Sequence, residues 1–265
     1  MKSGNQAIQY RQYRSGVWNT VDSGIIVESS VSLTVNGEVW LAFMCTPTDL
    51  QALAVGFLYN EGLISSIEEI ADLRVCEHGD NVDIWLTHAV EKPKEWRRTS
   101  GCTGGVTAVE AEFTPSIPLN GVTISPQEIY QLIESLFESQ DLYRQVGGVH
   151  TSALSDGQAI HVIAEDIGRH NSVDKLAGLC LLNKIEMPKK ILITTGRVSS
   201  EMLQKSARIG AAIVISRTSP SSLSIELARK LGVTLIGYAR RDRFNVYAVP
   251  ERINPEQNRE TIHSN

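Results

Sequence analysis

A chain of 265 residues is long enough for one large domain or two small ones, and its 42% apolar and 21% charged residues match soluble globular proteins. The net charge of -5 provides no global basic field to recruit nucleic acid, and no run of about 18 apolar residues is present to cross a membrane. The polar start MKSGNQAIQYRQYRSG lacks the apolar stretch of a secretory signal, so a cytoplasmic protein is expected.

GIIVESSVSLTVNGEVWLAFMCT, from Gly24 to Thr46, reads as two alternating strands joined at Asn36-Gly37, a dipeptide suited to a tight hairpin. TPTDLQALAVGFLYNEGLI follows as a helix, with start signals at Thr46 to Asp49 and Gly62 at its end. RVCEHGDNVDIWLT gives a second hairpin-like pair around Gly79-Asp80. From about Thr87 to Pro118 periodicity is lost, over a connection too long for an ordinary loop. RRTSGCTGG, Arg97 to Gly105, lies at its centre.

Order returns at Ser125-Pro126-Gln127-Glu128, a capping box with proline in the first helical position, which opens a helix to about Arg144. GGVHTSALSDGQAIHVIAED is a hairpin turning at Asp156-Gly157. Then come a helix from Asn171 to Leu182, the strand ILITT, the helix SSEMLQKSARIGA, the strand IVISR, the helix SSLSIELARKLG, and the strands VTLIGYA and FNVYAV. Short apolar strands alternating with helices predict an α/β sheet, at least partly parallel, with helices on its faces. The chain divides into a small β-rich (α+β) N-terminal domain, residues 1–120, which includes the cysteine loop 97–105, and a C-terminal three-layer α/β domain, residues 121–265.

Cys45, Cys76, Cys102 and Cys180 are widely spaced and form no CxxC pair, so they do not resemble a zinc site. Cys45, Cys76 and Cys180 sit in apolar runs and read as buried packing residues. Cys102 differs, because no apolar residue lies near it between Arg97 and Gly105. Glycines on both sides allow the thiol to be carried outward on a mobile loop, and Arg97 and Arg98 favour the nucleophilic thiolate.

In open α/β sheets ligands bind beyond the carboxyl ends of the strands. Four turns are expected there: EDIGRHNSVDK (Glu165 to Lys175), TTGRVSSE (Thr194 to Glu201), SRTSPSSLS (Ser216 to Ser224) and GYARRDRF (Gly237 to Phe244). Each of the first three ends a strand, carries an arginine and leads into a helix, whose N-terminus favours anions. Singly, the serines and threonines are ordinary caps and each arginine a solvated charge. Four together in an acidic chain point to a polyanion with several phosphates, with bidentate contacts available from Arg169, Arg197, Arg217, Arg240, Arg241 and Arg243. No GxGxxG or GxxxxGK[ST] occurs, so neither a Rossmann site nor a P-loop is supported. His150 reads as a general acid or base, and at least as well as a strand histidine held by backbone. Glu165, Asp166, Arg169 and His170 read equally as a functional cluster and as a buried ion-pair network that orients their loop.

GGVHTSAL, EDIGRHNSVDKLAG, TTGRVSSEMLQKSARIGA and SRTSPSSLSIELARKLGVTLIGYARRDRFNVY, with SGCTGG upstream, together resemble the FdhD family, the formate dehydrogenase accessory sulfurtransferases. The resemblance runs from the Gly24 region to about Tyr247. It implies a cytidine-deaminase-like fold for the C-terminal half, a homodimer, and a sulfur carrier. In that scheme a cysteine desulfurase loads a cysteine as a persulfide. The sulfur then passes to the molybdenum (or tungsten) of the bis(molybdopterin guanine dinucleotide) cofactor before the cofactor enters the formate dehydrogenase catalytic subunit.

Cys102 matches the family's sulfur-carrying, catalytic residue. Tyr238, Ala239, Arg240, Arg241, Asp242 and Arg243 match its cofactor-binding stretch. With Arg197, Arg217 and His170 they form the candidate cofactor site, where GDP-like nucleotides would also bind. Gly105 stands where many members carry a second cysteine, so a disulfide within the loop is impossible. Sulfur release then relies on a reductant, another cysteine or the metal centre. Neither the HxE nor the PCxxC zinc segment of deaminases is present, so hydrolytic deamination is not expected. Two other readings remain: a non-catalytic cofactor chaperone in which Cys102 is incidental, and a small-molecule hydrolase using Glu165, Asp166 and His170.

Overall fold

The computed structural model describes residues 3–94, 96–98, 106–108 and 121–254. It begins with a ribbon that the polar start did not announce: β1 (Asn5–Arg14) and β2 (Val17–Ile26) pair antiparallel about Ser15 and Gly16, both at positive φ. Glutamine, tyrosine and arginine dominate its first strand, and both faces stay largely exposed, so no hydrophobic period marks it.

β3 (Ser29–Val35) and β4 (Glu38–Cys45) follow, joined at Asn36 and Gly37 with φ of 50° and 83°, as the tight hairpin requires. α1 (Leu50–Asn60), β5 (Ile70–Val75) and β6 (Asn81–Leu86) complete a four-stranded sheet of order β4-β3-β6-β5. One core unites Val31, Leu33, Phe43, Val82 and Ile84 of the sheet with Leu53, Phe57 and Leu58 of α1. Two further strands, β7 (Trp96–Arg98) and β8 (Val106–Ala108), pair antiparallel within the stretch that showed no periodicity. The expected mobile loop with Cys102, and Gly105, lie outside the described residues.

Cys45 is buried as expected, but Cys76 is not a packing residue. It is half-buried, and its Sγ donates to Asp80 Oδ1 at 2.8 Å and accepts from the Asn81 N–H at 3.2 Å, tying the β5–β6 turn. Cys180 is half-buried as well.

α2 (Pro126–Glu138) opens on the expected capping box: Ser125 Oγ accepts from the Glu128 N–H at 3.2 Å, and Glu128 Oε2 accepts from the Ser125 N–H at 2.7 Å. The helix does not continue to Arg144. It stops at Ser139, and Gln140, extended and buried, donates to Thr151 Oγ1 at 2.7 Å before a separate turn, α3 (Asp141–Val146), begins. A tertiary anchor thus overrides local helix propensity.

β9 (His150–Ser155), β10 (Ile160–Asp166), α4 (Arg169–Leu182), β11 (Ile191–Thr194), α5 (Ser200–Arg208), β12 (Ile213–Ser216), α6 (Ser222–Leu231), β13 (Thr234–Gly237) and β14 (Asn245–Ala248) build the larger unit. Its sheet has the order β10-β9-β11-β12-β13-β14, with β11, β12 and β13 parallel. Alternation along these strands divides the core. Ile191, Ile193, Ile213, Ile215 and Ile236 meet Ile129, Leu132, Ile133 and Leu136 of α2, whereas Leu192, Val214 and Leu235 meet Leu176, Met202, Leu203 and Leu231 of α4, α5 and α6. The expected three-layer α/β fold, with a smaller sheet unit before it, is what forms.

The two sheets are joined through α1 and α4. A Cβ on Gly56 would stand 1.7 Å from the Asp174 carbonyl oxygen, and one on Gly178 1.9 Å from that of Ala52, so only glycine allows this approach. Beside it Asp166 and Lys175, both 0% exposed, pair at 2.8 Å. The Thr46 N–H donates to Asp166 Oδ2 at 3.1 Å, and Lys175 Nζ donates to the Thr46 carbonyl at 3.0 Å. A second buried network links Asn60 and Lys205 to Asp174 at 2.7 and 2.6 Å, with Glu61 3.3 Å from Lys205. The Asp166, Lys175 and Thr46 contacts fix the β10–α4 turn, which the candidate site uses, and the Asp174 network ties α4 to α1 and α5.

Candidate functional site

The carboxyl ends of β10, β11, β12 and β13 and the start of β9 share one edge, so the four turns singled out in the sequence do meet. They are laced together by hydrogen bonds. The Thr195 N–H donates to the Thr151 carbonyl at 3.0 Å, Ser216 Oγ to the Gly196 carbonyl at 2.7 Å, and the Tyr238 N–H to the Thr218 carbonyl at 2.9 Å. Ser199 caps α5 by accepting from the Met202 N–H, and Ser221 caps α6 by accepting from the Ser224 N–H.

Around β12 and β13 the charges are cationic. The Arg217 guanidinium lies over the Phe137 ring at 4.0 Å, and its Nε is buried with no hydrogen-bond partner among the described residues. Burial lowers its pKa, and the nearby Arg240 charge adds to that. Arg240 Nη1 donates to the Arg217 carbonyl and, at 2.9 Å, to that of Ala239, clamping two turns together. The Arg240 N–H donates to the Arg243 carbonyl at 2.8 Å, which closes the turn and leaves Arg241, Asp242 and Arg243 exposed.

The expected cofactor stretch therefore splits by role. Tyr238, at φ 52° and 45% exposed, presents its ring at the head of the turn. Ala239 is buried and works through its backbone, donating to the Ser216 carbonyl at 3.0 Å. The Asp242 carbonyl accepts from Tyr130 Oη at 3.2 Å. Arg241 turns to Glu134 on α2 at 3.4 Å, an exposed pair of little energetic weight.

Arg197 and His170 lie at the other end of the edge, with His150 and Arg169. His170 is 3% exposed, and burial, followed by the charges of Lys205 and Arg169, pushes its pKa down to about 2. Burial also lowers His150, with Arg169 and Arg197 acting in the same sense and Asp166 against them. Both imidazoles are neutral at pH 7. His170 Nε2 stands 3.5 Å from Ser199 Oγ, and a Cβ on Gly196 would lie 2.9 Å from Arg169 Cβ, so the β11–α5 turn rests directly on the start of α4.

The neighbouring carboxylates of β10 serve different partners. Glu165 accepts from the Leu142 and Tyr143 N–H groups of α3 at 2.6 and 3.1 Å, whereas Asp166 belongs to the Lys175 network. Of the two readings of this cluster, the orienting ion-pair network describes Asp166. Among the described residues no group of three or more histidines, cysteines or carboxylates could hold a metal ion. Ser199 and the Gly196–Arg169 contact went unnoticed in sequence, although TTGRVSSE carried Gly196 and Ser199.

The class that this fold and edge define is an α/β protein with arginines lining the carboxyl end of a partly parallel sheet, where such folds bind their ligands. The profile of the FdhD/NarQ family matches residues 26–254. The chain is 32% identical over 254 residues to the sulfur carrier protein FdhD of Shouchella clausii, covering 92% of this chain and 95% of that protein. It is 34% identical over 256 residues to the sulfur carrier protein FdhD of Staphylococcus haemolyticus, covering 94% and 96%. The crystal structure of a protein described as a formate dehydrogenase accessory protein, from Desulfotalea psychrophila, matches with a TM-score of 0.81 at 33% identity, over 95% of this chain and 100% of that one. The chain belongs to the FdhD/NarQ family. Among the described residues no helix is long and apolar enough to cross a membrane.

Proposed function

We propose that this protein is a cytoplasmic, homodimeric sulfur carrier for formate dehydrogenase maturation. Cys102 accepts sulfur from a cysteine desulfurase and delivers it to the molybdenum bis(molybdopterin guanine dinucleotide) cofactor, the cargo destined for the dehydrogenase catalytic subunit. In loading, the Cys102 thiolate attacks the terminal sulfur of the desulfurase persulfide. A new S–S bond forms as the old one breaks, and the donor cysteine leaves as a thiolate without net redox change. In delivery, Cys102 returns to the thiolate, and the two electrons that convert the transferred sulfur to sulfide come from the metal centre or a thiol reductant.

The observation that carries the reading is the convergence of Arg217, Arg240, Arg243 and the exposed Tyr238 on one strand-end edge. It occurs in a chain matched nearly end to end by proteins named sulfur carriers. These residues fit a bis-nucleotide cargo. Guanidinium groups suit pyrophosphate oxygens, the buried Nε of Arg217 lacks an acceptor, and the Tyr238 ring is open for stacking on guanine.

Intact-mass measurement after incubation with a desulfurase and cysteine tests the proposal. The protein should gain the mass of one sulfur atom, and Cys102→Ser should not. An adduct that persists in the variant on Cys45, Cys76 or Cys180 overturns the role of Cys102. If the wild type binds GDP yet never gains sulfur, the protein is a cofactor chaperone, a reading favoured by Gly105 in place of a second cysteine.

A further inference from the structure

We propose that the joined starts of α4 and α5 form a small-anion pocket, built by His150, Arg169, His170, Arg197 and Ser199, that holds anionic sulfur as free hydrosulfide or as the terminal sulfur of a persulfide. Its use in sulfur transfer rests on the sulfur-carrier reading; its chemistry does not.

Two helix starts converge here. α4 begins at Gly168 with no side-chain cap, and α5 begins at Ser199, whose Oγ lies 3.5 Å from His170 Nε2. Helix starts carry partial positive charge and unsatisfied N–H groups. The second, independent sign is His170 itself. It is 3% exposed, and its Nδ1 has no hydrogen-bond partner among the described residues. A buried ring nitrogen left unmatched is costly unless a ligand completes it.

The charge balance also favours an anion. Arg197 acts on His150 and Lys205 on His170, and the carboxylate felt by His150 is Asp166, which is neutralised by Lys175. Lys205 is itself balanced by Asp174 and Glu61. Arg169 is 3% exposed and Arg197 is exposed, so the pocket deepens from Arg197 inward.

Size and hydration select the ligand. The cost of bringing an ion into a poorly hydrated interior rises with the square of its charge, so a phosphate dianion is disfavoured here relative to a large, weakly hydrated monoanion. The half-buried Arg217–Arg240 group, with exposed Arg241 and Arg243 beside it on the far side of β11, is more heavily cationic and suits phosphates.

The test follows the His150 and His170 ring signals by NMR in Cys102→Ser protein, titrated separately with sodium hydrosulfide and inorganic phosphate. Hydrosulfide should shift both signals saturably and phosphate should not. Arg197→Ala, a change at an exposed residue, should weaken hydrosulfide binding several-fold, and His170→Gln about tenfold or more. No shift, or a shift with phosphate alone, overturns the pocket. Desulfurase-loaded wild type then distinguishes the sources: shifts without added hydrosulfide identify the persulfide as occupant, and shifts only on addition identify the free anion. Because the Cys102→Ser titration needs no persulfide, failure of Cys102 to load would sink the carrier reading and leave the pocket standing or falling on hydrosulfide binding alone.

Discussion

His170 shows how one side chain couples the site to stability. Its folded pKa of about 2 lies far below the ordinary histidine value, chiefly through burial. The unfolded chain therefore takes up a proton below about pH 6.5 that the folded chain refuses, and stability falls as pH drops from there towards the folded pKa. Between about pH 7 and pH 5 this one residue should remove about 2 kcal/mol. Denaturant unfolding of the wild type and His170→Gln across that range measures it, with a flatter profile expected for the variant; parallel profiles would mean that His170 titrates normally. Arg240 and Arg243 are tested by ligand affinity. Charge-assisted bonds to phosphate are worth about 1.5–3 kcal/mol each, so alanine at either position should weaken GDP binding roughly tenfold or more. Unchanged affinity in the double variant would remove this turn from the phosphate site.

At the scale of elements, the α1–α4 crossing is the least forgiving feature. A methyl group at Gly178 would lie 1.9 Å from the Ala52 carbonyl oxygen, which is backbone and cannot rotate aside. Gly178→Ala should therefore cost about 3 kcal/mol or more, at or beyond the upper end of overpacking effects. Because α4 carries Arg169 and His170, the displacement should also weaken hydrosulfide binding at the pocket they line. Thermal unfolding and hydrosulfide titration of the same variant read both effects; a neutral Gly178→Ala would show that the helices separate at little cost and that the crossing does not hold the site.

For the whole molecule, the proposed sulfur transfer requires the cysteine segment and the strand-end edge to act together. β7 and β8, three residues each, flank Cys102, and so short a pair contributes little stability alone. Ligand at the arginine edge should seat this segment and slow tryptic cleavage at Arg97 or Arg98. An unchanged cleavage rate at saturating GDP would separate the two parts and favour the chaperone reading.

Local chemistry made much of this molecule readable. Asn36-Gly37 dictates its hairpin because both residues tolerate positive φ, and Ser125 to Glu128 dictates a helix start because the two caps are reciprocal. The spacing of strands and helices announced the three layers, and the arginines after the strands announced the edge. The break at Gln140 was invisible because its partner, Thr151, lies on a strand that no local pattern pairs with the end of the helix. The Thr46–Asp166 bond spans 120 residues, and the Gly56–Gly178 crossing brings two helices together that no periodicity pairs. Sequence determined most of the elements and the residue types at the edge, because those follow from short-range sterics and hydrogen bonding. Only the tertiary structure decided that Asp166 would be consumed by Lys175 while His170 stayed neutral with its Nδ1 unmatched, because burial and long-range pairing set the charge state of each.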